Sequence, residues 1–90
     1  MSTENVDVIG AAQCRSARAL LDMTQPELAD SAQLGLSTIV DFERQRRVVS
    51  DDAVRSIRRA LERAGIEFID ENGGGPGVRL RKRSTGRPRR

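Results

Sequence analysis

The chain has no histidine, tyrosine or tryptophan, and its two aromatic side chains are Phe42 and Phe68. Without histidine it lacks the usual near-neutral acid–base group and the commonest metal ligand. A single cysteine, Cys14, can close no intrachain disulfide and cannot build a thiolate-rich zinc site. The glycines at 73–75 are not followed by the Gly-Lys-Ser/Thr of a phosphate-binding loop. These gaps argue against an enzyme, and neither cofactor nor metal is expected. No apolar run approaches the roughly 20 residues that a membrane span needs. The first seven residues are polar and carry Glu4 and Asp7, unlike a secretory leader. The expectation is a protein with no membrane partner, held in a reducing cytoplasm and associated there with the nucleoid.

A chain of 90 residues suits one domain with a modest core. With so few aromatics the core must be aliphatic and alanine-rich, which suits packed helices better than a β-sandwich. Charge is divided unevenly. Residues 1–71 carry 9 basic and 13 acidic side chains, whereas residues 72–90 carry 7 basic and none acidic. A mildly acidic body with a basic tail points to a polyanionic partner, nucleic acid before a membrane surface. A solvated tail that merely aids solubility is the plainer alternative.

Along the chain, residues 10–21 are rich in helix formers. Cys14, Ala17, Leu20 and Leu21 share one face at helical spacing, where Cys14 reads as a small buried hydrophobe. Thr24-Gln25-Pro26-Glu27 has the form of a capping box and opens a short helix over 25–31, with Leu28, Ala29 and Ala32 inward. After a break at 33–35, a third helix over 36–44 turns Ile39 and Phe42 inward and Leu36, Ser37, Val40, Asp41 and Arg44 outward. Ser50, followed by Asp51 and Asp52, caps a fourth helix. Its stripe is Val54, Ile57, Ala60, Leu61 and Ala64, and Gly65 is placed to end it. Residues 66–70 and 78–82 alternate as strands do, around a glycine-rich turn at 71–77. The expected organisation is an N-terminal stretch 1–9 without fixed structure, a helical domain 10–65, a strand or hairpin 66–82 and a disordered basic tail 83–90.

Two short helices joined by a tight turn have the dimensions of a helix-turn-helix. Residues 14–61 resemble the Cro/XRE-type helix-turn-helix family. The resemblance rests on Arg18, on Thr24-Gln25-Pro26-Glu27-Leu28-Ala29, on Ser37-Thr38-Ile39, on Phe42-Glu43-Arg44 and on a last helix ending Ala60-Leu61. It implies a mainly α, lambda-repressor-like domain of four to five helices with a C-terminal β extension, as in compact members. It further implies that Leu28, Ala29, Ile39 and Phe42 are core, and that Arg18 and Glu43 form an internal ion pair. Gln25 would touch the DNA backbone, and Leu36, Ser37, Thr38, Val40, Asp41 and Arg44 would lie on or near the major-groove face. The family usually has glycine at the positions of Gln33 and Gln45, so Gln33 is expected in a backbone conformation that favours glycine.

Within that frame Ser37, Thr38 and Arg44 are hydrogen-bonding groups for base edges or phosphates, Leu36 and Val40 suit thymine methyls, and Asp41 can accept from a cytosine amino group. Arg44, Arg46 and Arg47 stand where phosphates should run. Lys82, Arg83, Arg87, Arg89 and Arg90 extend the basic surface. Thr85-Gly86-Arg87-Pro88-Arg89 resembles the centre of an AT-hook, without the arginine usual before the glycine. Ile66, Phe68, Ile69, Val78 and Leu80 are the expected homodimer contacts, because apolar strand residues beyond a finished helical unit need a partner. The expected function is a repressor that binds an inverted repeat in double-stranded DNA as a homodimer. Alternatives are an antitoxin or anti-activator acting on a partner protein, and a DNA-bending architectural or recombination-accessory factor.

Overall fold

Four helices and a hairpin follow in order: α1 (Ala11–Leu21), α2 (Gln25–Ala32), α3 (Leu36–Arg44), α4 (Asp51–Arg63), β1 (Ile66–Ile69) and β2 (Gly77–Leu80). They are taken from a computed structural model that describes residues 8–81. Residues 1–7 and 82–90 lie outside it. So do Lys82, Arg83, Arg87, Arg89 and Arg90, and with them the AT-hook-like segment.

Local chemistry sets the helix starts. The Thr24 hydroxyl accepts from the Glu27 amide at 3.1 Å, and the Thr24 amide donates to Glu27 Oε1 at 2.9 Å, closing the expected capping box. Ser50 Oγ accepts from the Ala53 amide at 3.1 Å. At α1 the Gly10 amide donates to Gln13 Oε1 at 2.9 Å. The helix ends are less ordinary. α1, α2 and α3 each stop at a residue in the left-handed region, Asp22 (φ 57°), Gln33 (φ 60°) and Gln45 (φ 55°). Each carries the same double bond pattern: Asp22 to Ala19 and Met23 to Arg18, Gln33 to Asp30 and Leu34 to Ala29, Gln45 to Phe42 and Arg46 to Asp41, amide to carbonyl. This satisfies carbonyls that helix ends leave orphaned, at a backbone conformation that costs a non-glycine residue about 1 kcal/mol. The expectation for Gln33 is met, and Asp22 joins the set.

The core is built from Cys14 and Ala17 of α1, Leu28, Ala29 and Ala32 of α2, Ile39 of α3, and Val54, Ile57, Ala60 and Leu61 of α4, with Val49 from the α3–α4 loop. α2 packs on both α3 and α4, while α1 meets α3, α4 and the hairpin. β1 and β2 pair antiparallel, Ile66 with Leu80, Glu67 with Arg79, Phe68 with Val78 and Ile69 with Gly77. Gln13 Nε2 donates to the Gly77 carbonyl at 3.1 Å and ties β2 to α1. In the connecting turn the Glu71 carboxylate accepts from the amides of Gly73 and Gly75 at 2.9 and 3.1 Å. Both glycines have φ near +100°, where a side chain would be strained.

Several expectations change. Ile9, assigned to an unstructured N-terminus, is buried against the core. Leu20 is 44% exposed, because the α1 face that meets the other elements is narrower than its apolar pattern suggests. Phe42 is half-buried at the margin of the core, and Ala64, at the end of α4, is exposed. Ile66 and Phe68 are buried within their own chain, which gives them the partner that a dimer was expected to supply. Of the hairpin's apolar side chains, Leu80 is exposed and Ile69 and Val78 are half-buried.

Candidate nucleic-acid interface

α3 buries two residues, Ile39 and Glu43, four apart and therefore on one face. Ile39 anchors the helix in the apolar core, and Glu43 anchors it through charge. The Glu43 residue is 2% exposed, and its carboxylate accepts four hydrogen bonds from two helices. Arg18 Nε donates to Oε2 and Arg18 Nη2 to Oε1, each at 2.7 Å, forming a bidentate pair. Cys14 Sγ donates to Oε2 at 3.0 Å and Gln25 Nε2 to Oε1 at 2.9 Å. Arg18 also donates from Nη1 to the Met23 carbonyl at 3.0 Å, and Arg15 Nη1 to the Glu43 carbonyl at 2.6 Å. α1 and the first residue of α2 therefore converge on one side chain of α3, and Arg18 ties the α1–α2 turn to the same cluster.

Burial on its own would raise the Glu43 carboxyl. The bonds from Arg18, Cys14 and Gln25 outweigh it and hold the group below the usual carboxylate range. The hydrogen bond to Glu43 raises Arg18 above its ordinary value against the pull of desolvation. Cys14 is pushed well above an ordinary thiol by burial first, then by its bond to Glu43 and by that neighbour's charge. It is a structural donor, with no thiolate character to make it a nucleophile.

The opposite side of α3 is open. Leu36, Ser37 and Arg44 are exposed, and Thr38, Val40 and Asp41 are half-buried. Arg46 and Arg47 follow at once, both exposed. Four members of the expected set have other commitments, Asp41 with Arg46 and Arg47 and Gln25 with Glu43. Asp41 accepts from Arg47 Nε at Oδ2 (2.8 Å), and its Oδ1 lies 3.9 Å from Arg46 Nη1. Its charge is thus directed at its own loop, and a bond to a cytosine amino group would require these pairs to open. Gln25 has given one amide hydrogen to Glu43, leaving the other for an outside acceptor. Residue spacing does not signal the roles of Cys14 and Gln25 at Glu43, since they stand 29 and 18 positions away in sequence.

The chain matches no protein-family model and no curated protein. No helix among the described residues is long and apolar enough to cross a membrane.

Proposed function

We propose that this protein is a sequence-reading DNA-binding regulator in which α2, the Gln33–Gly35 turn and α3 act as a helix-turn-helix. The observation that carries the proposal is the division of α3 into a buried stripe, Ile39 and Glu43, and an open polar face. A recognition helix needs both. It must be held at a fixed angle from behind, and it must present hydrogen-bonding groups that no internal partner uses. Ser37 and Thr38 stand at its first turn, the end that enters a major groove in this motif. Arg44, Arg46 and Arg47 gather at its last turn, where contacts to phosphates add salt-dependent affinity without reading sequence.

Acting alone, one such unit would read only a few base pairs, so the chain works as a homodimer on two half-sites about one helical turn apart. The exposed Leu80 and a hairpin edge that pairs with no third strand among the described residues support that state. With Leu36 and Val40 offering only apolar contacts and Asp41 turned to its own loop, discrimination leans on Ser37, Thr38 and Arg44 and on DNA shape. The simplest outcome is repression by occupying a promoter.

Selection from random duplexes followed by sequencing tests the reading. An enriched inverted repeat is the expected result, weakened when Ser37 and Thr38 are both replaced by alanine. If folded protein enriches no sequence even at low salt, the reading fails, and action on another protein becomes the better account.

A further inference from the structure

Apart from the α3 face, the molecule has a second cluster of hydrogen-bond donors, in a cleft between the end of α2 and the outer side of α4. The cleft measures about 300 Å³ and is lined by Ser31, Ala32 and Gln33 from the α2 end and by Ser56, Arg59 and Arg63 from α4. Five of these six side chains carry hydrogen-bond donors, two of them are cations, and none is a carboxylate. The neighbouring cleft along α4 shows the contrast. It holds Arg55, Arg58, Arg59 and Glu62, and there Arg58 Nε donates to Glu62 Oε2 at 2.9 Å.

Arg59 and Arg63 stand four residues apart, which sets their side-chain bases about 5–6 Å from each other on one face. Arg63 Nη2 donates to the Ser31 carbonyl at 3.0 Å. That bond ties the guanidinium to the end of α2 and uses one of its N–H groups, the others having no hydrogen-bond partner among the described residues. Arg59 has no carboxylate partner among the described residues. Guanidinium forks are shaped for oxygens on a common centre, and hydroxyls beside them complete such a shell.

We propose that this cleft is an oxyanion site of the phosphate class, with Arg59 and Arg63 as the charged clamp and Ser56 and Ser31 as hydroxyl donors. The proposal is independent of DNA reading by α3, because none of the clamp residues belongs to that face. The phosphate group could be a free anion or one carried on a nucleic-acid backbone, and the two sources share this chemistry.

Proton–nitrogen NMR on the full chain provides the test, following the amides of Ser31, Ala32, Gln33 and Ser56 and the Nε–H signals of Arg59 and Arg63. Inorganic phosphate should give saturable shifts confined to these groups, with a midpoint of about 1–10 mM. Sodium chloride at equal ionic strength should not reproduce them. The double variant Arg59→Gln/Arg63→Gln should weaken the response about tenfold, and Ser56→Ala about twofold to threefold. Should Arg63→Gln destabilise the fold by losing the Ser31 contact, Arg59→Gln alone still decides, since Arg59 holds no ion pair among the described residues. Shifts that rise without saturation, match those in chloride or survive the double variant overturn the proposal. So does a variant that lowers the melting temperature while the parent never responds to phosphate, for the arginines then serve only the α2 terminus. A DNA duplex that moves the same signals identifies a backbone phosphate as the source, whereas a response to phosphate alone identifies a free anion.

Discussion

The α1–α3 half and the α4–hairpin half of this small protein are held together by opposite means. In the first, α3 is fastened by a buried carboxylate and its ring of donors, with Arg18, Cys14 and Gln25 meeting on Glu43. In the second, Ile66 and Phe68 are simply buried against the helices, with Arg58 lying 5.2 Å from the Phe68 ring centroid. Ion pairs are also present there, but the Glu67–Arg79 pair faces solvent across the strands. Apolar burial is non-directional and tolerates small shifts, whereas a bidentate carboxylate–guanidinium pair enforces an angle. The half with the candidate recognition helix is the half built for angle.

Replacing Glu43 with alanine should have the largest effect. It leaves Arg18 and Gln25 without their acceptor and should cost about 3–5 kcal/mol, enough to unfold much of so small a domain. Thermal or denaturant melting measures this, and a loss under about 1 kcal/mol would erase the contrast between the halves. The same cluster predicts a two-sided pH profile. The folded Glu43 carboxyl binds its proton less readily than in the unfolded chain, where its value is about 4.3. Its stabilisation is therefore complete above that value and is lost as pH falls through it and below. Cys14 behaves in the opposite sense. With its folded value raised above the unfolded one of about 8.5, its contribution holds below that pH and declines in more alkaline solution. The alkaline limb should flatten in Cys14→Ser, whose hydroxyl can still donate to Glu43.

On the other side, Ile66→Ala should cost about 2–4 kcal/mol, the usual range for an aliphatic core truncation. Amide exchange would show the loss concentrated in the hairpin and α4, with protection at the α2–α3 junction falling less. Equal loss throughout would mean that the halves melt as one unit. Next in size is relief of the left-handed helix ends. Gln33→Gly should stabilise by about 0.5–1 kcal/mol, since glycine adopts that conformation without penalty. The smallest effect belongs to Arg79→Gln, which should leave the melting temperature essentially unchanged because its pair with Glu67 is exposed and screened by solvent. A larger loss would show that charge also holds the hairpin half.

How much could be read in advance followed the range of the interaction. Helix starts were legible because a capping box is four residues long and Ser50-Asp51-Asp52 is shorter still. The hairpin was legible through its alternation, although its use was misjudged: strand pattern shows that Ile66 and Phe68 need cover, not that α1 and α4 already provide it. The Arg18–Glu43 pair came only through resemblance. Nothing local to Cys14 or Gln25 indicates that each donates to the same distant carboxylate. Asp22 was missed as a left-handed terminus because aspartate there differs little from aspartate in any polar turn. Whether Leu20 is covered depends on how closely neighbours approach, which a periodic pattern does not encode.

The arrangement of α3 has a consequence for how such a protein could change. Its instructions for folding and its open chemistry are written on different residues of one nine-residue helix: Ile39 and Glu43 are buried, Leu36, Ser37 and Arg44 are exposed, and Thr38, Val40 and Asp41 are half-buried. Successive generations can therefore rewrite the open letters without disturbing the buried pair. A library randomised at 37, 38, 40 and 44 should remain largely folded, offering many surfaces on one unaltered support.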